Sequence, residues 1–274
     1  MVVGRVATSL VLAPIVLAGI WFGGIVLAAV VVAATIITTL EYCRLLERGG
    51  FRPAWPLAVV GSAALCLAPI VEGTHLGALA IAVLVVAPGA YFLARGTALR
   101  EALVDWGLTV LAGLAIGWPL AQANVLRAAT EPVKVFGLDI ERGSLVLLIC
   151  ALGTWASDTG AFSIGRTLGR HPFFPHISPR KTVEGAAAGV VAPTLVTLLL
   201  APPLGWPPVF ALVCGACIGT AAVAGDLVES GLKRAVEAKD AGSWLPGHGG
   251  LLDRIDGQIF VLVTVALLTG YIWP

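Results

Sequence analysis

About 20 consecutive apolar residues are enough to carry an α-helix across the hydrocarbon core of a bilayer. This 274-residue chain contains nine such runs, at approximately 6–22, 24–42, 55–71, 76–94, 107–126, 144–165, 185–204, 208–225 and 257–273. They leave little room for any other architecture. The expected fold class is an all-α polytopic membrane protein with about nine transmembrane helices. Composition agrees, because only 12% of residues are charged, against about 25% in a soluble domain. Gly23-Gly24 divides the first long run in two, and Pro202-Pro203 and Pro207-Pro208 mark a short turn between the seventh and eighth runs. The N-terminus, with Arg5 before an apolar run, superficially resembles a secretion signal. A second apolar run follows it directly, so a retained first span is expected.

Loop charge sets orientation, since cytoplasmic loops carry an excess of Lys and Arg. The loops after spans two, four, six and eight hold 13 Lys/Arg, and the opposite side holds 4. This places both termini outside and loops 166–184 and 226–256 in the cytoplasm. Net charge is +1, which implies no acidic partner such as a nucleic acid. Five cysteines are present, and Cys214 and Cys217 form a CxxC. That motif lies in an apolar helical run with no second ligand pair nearby, so it is read as packing.

The remaining charge is unevenly distributed. Residues 157–184 and 226–256 hold 8 of the 17 Lys/Arg and 8 of the 16 Asp/Glu. Charge beside apolar spans is costly and marks function by default. The organisation expected is therefore a scaffold, 1–143 with spans one to five, and a catalytic region, 144–274 with spans six to nine, within one folding unit.

The first cluster opens at Asp158, preceded by a nearly uncharged run, as a metal or substrate ligand. It continues through His176, Ser178, Pro179, Arg180, Lys181, Thr182, Glu184 and Gly185. A helix starting near Thr182 offers free backbone N–H groups to phosphate oxygens. Glu184 either closes a capping box or pairs with Lys181. His171 and His176 are read as surface residues. In the second cluster Asp226, Glu229, Ser230 and Lys233 fall at i, i+3, i+4 and i+7, one helical face. That face is acidic first and basic later, so a cation is expected near Asp226 and phosphate near Lys233.

The stretch Ser230–Asp256 carries four carboxylates, four Lys/Arg, one His and five Gly. Carboxylates hold hard divalent cations, and Lys and Arg hold phosphates. Asp253 and Asp256 share a face at i, i+3 and, with Asp226, form a candidate oxygen site. One of these carboxylates serves alternatively as partner to Arg254 or Lys233. His248, among Gly247, Gly249 and Gly250, is a base, a phosphate ligand or a turn residue. Together the residues point to metal-assisted chemistry on a phosphate.

The pattern Ser230-x-x-Lys233-Arg234, then Lys239-Asp240, then Pro246-x-His248-Gly249-Gly250-x-x-Asp253-Arg254-x-Asp256 resembles the signature of the phosphatidate cytidylyltransferases. Asp158, Ser178-Pro179, Lys181-Thr182 and Glu184-Gly185 resemble that family's upstream motif, with Arg180 where Lys is equally usual. The strong resemblance covers roughly residues 150–260. It implies transfer of CMP from CTP to phosphatidate, giving CDP-diacylglycerol and pyrophosphate in phospholipid biosynthesis. It also implies Mg²⁺, with a second, monovalent cation as a further candidate, a homodimer, and residence in the inner (plasma) membrane with the active site facing the cytoplasm.

Under that reading Asp226 and Asp253 are metal ligands, with Asp256 and Asp158 next. Lys233, Arg234, Lys239 and Arg254 clamp phosphate, alongside Asp240 and His248. Ser178, Arg180, Lys181, Thr182, Glu184, Ser230, Gly249 and Gly250 bind substrate. Two rival readings share parts of this pattern. A CTP-dependent transferase acting on another membrane lipid would share the signature. A secondary transporter using Asp158 and Asp226 would be expected to show repeats in both halves, whereas charge here is concentrated in one.

Overall fold

The computed structural model describes residues 2–71, 75–96, 98–135, 137–242, 244 and 249–272, of which 2–11 and 271–272 are described in backbone only. The chain is helical nearly throughout. Its helices are α1 (Val2–Phe22), α2 (Gly24–Arg48), α3 (Trp55–Leu67), α4 (Leu76–Ala94), α5 (Leu99–Ala112), α6 (Trp118–Arg127), α7 (Arg142–Leu168), α8 (Val183–Leu200), α9 (Pro208–Ala235) and α10 (Leu252–Leu267). A π turn, Gly113–Gly117, joins α5 to α6 in one continuous 29-residue helical rod.

Among the described residues, six helices are long and apolar enough to cross a membrane. They are α2, α4, the α5–α6 rod, α7, α8 and α9. Long stretches of their surface are apolar and exposed: α4 alone shows Leu79, Ile81, Val83, Val85, Val86 and Leu93 to its surroundings. A surface of that kind suits lipid rather than water. The chain is therefore a helical membrane protein. The third apolar run forms a 13-residue helix and the ninth a 16-residue one followed by a π turn. Both are shorter than the runs of about 20 residues expected to cross.

The chain packs as two compact units, residues 1–125 with 233–254, and residues 126–232 with 255–274. In the first unit α2 to α5 pack successively through small residues. Leu84 of α4 is 1% exposed, filling a space that opens only because Gly61 and Gly113 have no side chain there. The loop entering α3 is tied to α5: Ala54 N–H donates to Thr109 Oγ1 at 2.9 Å, and Arg52 N–H to Asp105 Oδ1 at 2.8 Å.

In the second unit α7 and α8 lie in close contact through the small residues facing each other. A Cβ on Gly185 would stand 2.8 Å from the Ala161 carbonyl oxygen, and one on Gly189 3.2 Å from Ser157 Oγ. Gly185→Ala should therefore lower stability by about 1–3 kcal/mol, the usual cost of overpacking. A lower thermal unfolding midpoint in detergent checks this; an unchanged midpoint would mean the two helices move apart freely. Next to α6 the loop forms a short antiparallel hairpin, β1 (Pro132–Val135) with β2 (Leu138–Glu141), in register Val133 to Ile140. It is a small local element within an all-α fold. Its alternating Val-Lys-Val and Leu-Asp-Ile suit a pleated strand.

Candidate active site

Each cluster is built by local hydrogen bonding. In the second unit the segment between α7 and α8 folds into a closed loop. Phe173 N–H donates to the Lys181 carbonyl at 2.8 Å, and Val183 N–H to the His171 carbonyl at 2.9 Å, zipping its base. At its tip Lys181 N–H reaches the Ser178 carbonyl at 3.2 Å across Pro179 and Arg180. Proline at the second position presets this turn. Thr182 caps α8, its Oγ1 accepting from Gly185 N–H at 3.1 Å.

Glu184 takes neither partner expected of it. Its Oε1 lies 2.5 Å from His171 Nδ1, and Oε2 accepts the N–H groups of Arg170 and His171 at 3.1 and 3.3 Å. Position explains this: Glu184 is one residue too early in α8 for the reciprocal bond of a capping box. His171 is thus exposed yet engaged, while His176 is simply exposed.

Lys181 pairs instead with Asp226, Nζ to Oδ2 at 2.8 Å. Asp226 stands on α9, which continues as helix to Ala235 and so carries the polar face beyond the apolar run. Ser230 Oγ lies 3.5 Å from Asp226 Oδ1. The Asp226 side chain retains 42% exposure. Gly225 brings this part of α9 against α10, where a Cβ would sit 2.5 Å from the Asp256 carbonyl oxygen. Asp256 is half-buried, with Oδ1 accepting the Gly257 N–H at 2.7 Å. Asp158 is exposed on α7, well inside that helix rather than at its end. Glu229 is buried at 5% exposure.

In the first unit the centre is Asp253, with a side chain 5% exposed. Lys233 Nζ donates to its Oδ1 at 2.7 Å. Ala241 N–H reaches Oδ2 at 3.0 Å, and Gly250 N–H reaches Oδ2 at 2.8 Å. One carboxylate therefore holds Lys233 and both ends of the segment 241–250. Gly249 adopts φ +82°, and a Cβ there would lie 3.0 Å from Asp253 Oδ2. Both facts require glycine. Arg234, Lys239, Asp240 and Arg254 are exposed, and Arg234 Nη1 donates to the Ala238 carbonyl at 3.4 Å. His248, with Pro246 and Gly247, lies outside the described residues.

One residue of this site escaped the sequence reading. Glu41 of α2 is 1% exposed, and its Oε2 accepts Leu252 N–H at 2.7 Å. The signal was available: Glu41 is an acid within the second apolar run, and ionisable residues in such runs are expensive.

Among the described residues, no three His, Cys, Asp or Glu side chains gather into a metal-holding group. Mg²⁺ does not require one, because it is usually bound through one or two carboxylates plus substrate phosphates. Asp226, with a side chain 42% exposed, would fit that role if the cation took the place of the Lys181 ammonium at Oδ2. The oxygens of Asp253 already accept an ammonium and two N–H groups.

Lysine–carboxylate pairs and glycine turns accompany the apolar helices of this membrane protein. The chain belongs to the cytidylyltransferase family, whose model matches residues 3–272. It is 40% identical over 132 residues to a phosphatidate cytidylyltransferase of Bacillus subtilis, covering 47% of this chain and 49% of the relative. It is 47% identical over 120 residues to phosphatidate cytidylyltransferase 5, chloroplastic, of Arabidopsis thaliana, covering 43% and 30%. A phosphatidate cytidylyltransferase of Synechocystis is 40% identical over 134 residues, covering 48% and 45%. The chain thus spans half or less of the length of these relatives.

Proposed function

We propose that this protein transfers CMP from CTP to phosphatidate, forming CDP-diacylglycerol and releasing pyrophosphate. A phosphatidate oxygen attacks the α-phosphorus of CTP, the bond from that phosphorus to the bridging oxygen breaks, and pyrophosphate leaves with the electron pair. Family membership supports the reaction class, and the named relatives support the lipid acceptor. The observation that carries the reading is the Lys233–Asp253 pair, whose carboxylate also accepts the N–H groups of Ala241 and Gly250. A lysine held against a carboxylate is a cation kept in place until phosphate competes for it.

In this mechanism the residues act chiefly by placing two anions together and stabilising charge on the departing group. Lys233 meets phosphate from its anchored position, with Arg234, Lys239 and Arg254 available from water. Arg180 and Lys181 hold either the lipid phosphate or the triphosphate tail, with Ser178, Thr182 and Ser230 as hydroxyl donors. Asp253 orients Lys233 and the glycine segment. Mg²⁺, held by Asp226 with Asp256 and Asp158 as further ligands, supplies charge neutralisation when bound. Phosphatidate is already ionised near neutral pH, so no dedicated base is assigned.

Nine apolar runs support nine crossings, and the Lys/Arg asymmetry supports both termini outside and the charged loops on the cytoplasmic side of the plasma membrane. Nucleotide then arrives from water, and the lipid phosphate from the leaflet. A homodimer is part of the same proposal. Purified protein should be offered CTP, Mg²⁺ and a panel of lipid phosphates and alcohols. Product from phosphatidate supports the reading; turnover confined to another acceptor overturns it.

Asp226→Asn is expected to abolish turnover at limiting Mg²⁺ while changing stability by less than about 1 kcal/mol, since exposed pairs contribute little. Activity titrated against Mg²⁺, beside thermal unfolding, checks both parts. Near-normal activity at limiting Mg²⁺ removes Asp226 from the metal site.

A further inference from the structure

We infer that Glu41 of α2 is a positioning residue for the signature segment, setting the start of α10 and, through it, the carboxylate that holds Lys233. The inference rests on the cytidylyl-transfer reading and adds to it a residue from the apolar N-terminal half.

Three contacts carry it. Leu252 is the first residue of α10, so its N–H has no partner within the helix. Glu41 Oε2 accepts it at 2.7 Å, placing a carboxylate where the helix dipole favours one. Asp253 is the next residue along. Gly242 and Gly250 also lie close against the carboxylate. A Cβ on Gly250 would stand 2.8 Å from Glu41 Oε2, and a Cβ on Gly242 would collide with Oε1.

The neighbouring turns of α2 serve the same segment. Arg44 lies over the Trp244 ring, 5.5 Å from its centroid, and Arg48 Nη1 donates to the Asp240 carbonyl at 3.3 Å. Glu41, Arg44 and Arg48 fall at i, i+3 and i+7, one helical face. Glu41 is the buried member, at 1% exposure. An acid so placed in an apolar helix is costly, and the segment it orders accounts for its presence.

Hydrogen–deuterium exchange on the full-length protein in detergent tests this without any substrate, separating it from the activity reading. Glu41→Ala should raise exchange at 249–254 by about tenfold or more, leaving α8 unchanged. Turnover should fall by about 10- to 150-fold, the value of a hydrogen bond to a charged group, with a smaller change in KM for CTP. Glu41→Gln keeps the size and one acceptor, and guards against misfolding of the Ala variant. It should raise exchange at 249–254 several-fold and lower turnover less than Glu41→Ala does. In a second arm, Gly242→Ala should impair the wild type strongly yet add less than about twofold to Glu41→Ala, because the colliding carboxylate is gone. Wild-type exchange and turnover in Glu41→Gln and Glu41→Ala would overturn the inference. So would exchange that rises uniformly along the chain, or losses that multiply in the double variant.

Discussion

Asp253→Asn is expected to cost both turnover and stability, and to be the most damaging single change in the second cluster. The native carboxylate accepts Lys233 Nζ at 2.7 Å and the N–H groups of Ala241 and Gly250. An asparagine presents one acceptor oxygen and one amide N–H₂ to these donors. It also removes the counter-ion of a lysine whose side chain is only 15% exposed. Breaking a buried pair in this way costs about 3–5 kcal/mol. The loss of turnover is a separate effect: Lys233 loses its anchor, and one misplaced charge-assisted contact to phosphate is roughly 10- to 150-fold. Steady-state turnover and thermal unfolding should be measured on the same preparation. A variant with native stability and a large shift only in Mg²⁺ requirement would return Asp253 to the role of metal ligand.

Lys233→Ala carries the second largest expected effect. Each charge-assisted bond to phosphate contributes about 1.5–3 kcal/mol, so turnover should fall roughly 10- to 150-fold or more. Mg²⁺ dependence of the residual activity should be little changed. Lys233→Arg should rescue only in part, since a planar fork replaces a compact ammonium at a partly enclosed site. The stability losses of Lys233→Ala and Asp253→Ala should not add in the double variant, because each removes the other's partner. Kinetics over a matrix of CTP and Mg²⁺ concentrations separate the roles. A normal CTP response with a shifted Mg²⁺ requirement would contradict the phosphate assignment.

Much of this was legible because it follows from hydropathy and helical spacing. The break at Gly23-Gly24 falls where expected, and α9 begins at Pro208. The face formed by Asp226, Glu229, Ser230 and Lys233 is real because α9 runs unbroken to Ala235. Partner choice was less legible, because it depends on contacts distant in sequence. Lys181 pairs with Asp226, 45 positions away, rather than with Glu184 three positions away. Glu184 turns to His171 across the closed loop, a pairing that needs the strand-like zipper at 171–183. Hydropathy also does not register where a helix ends: the third apolar run continues past Leu67, where α3 stops. The partner of Glu41 was hidden for the same reason as that of Lys181: Leu252 is 211 residues away.

The central claim is that CMP, rather than phosphate or pyrophosphate, passes from CTP to a lipid phosphate. Following two labelled forms of CTP with purified protein, phosphatidate and Mg²⁺ tests it most directly. Label at the α-phosphorus should appear in the lipid fraction as CDP-diacylglycerol, and label at the γ-phosphorus should appear in equal amount as pyrophosphate. Label from the γ-position entering lipid, or α-label released as free CMP without lipid product, would contradict the account.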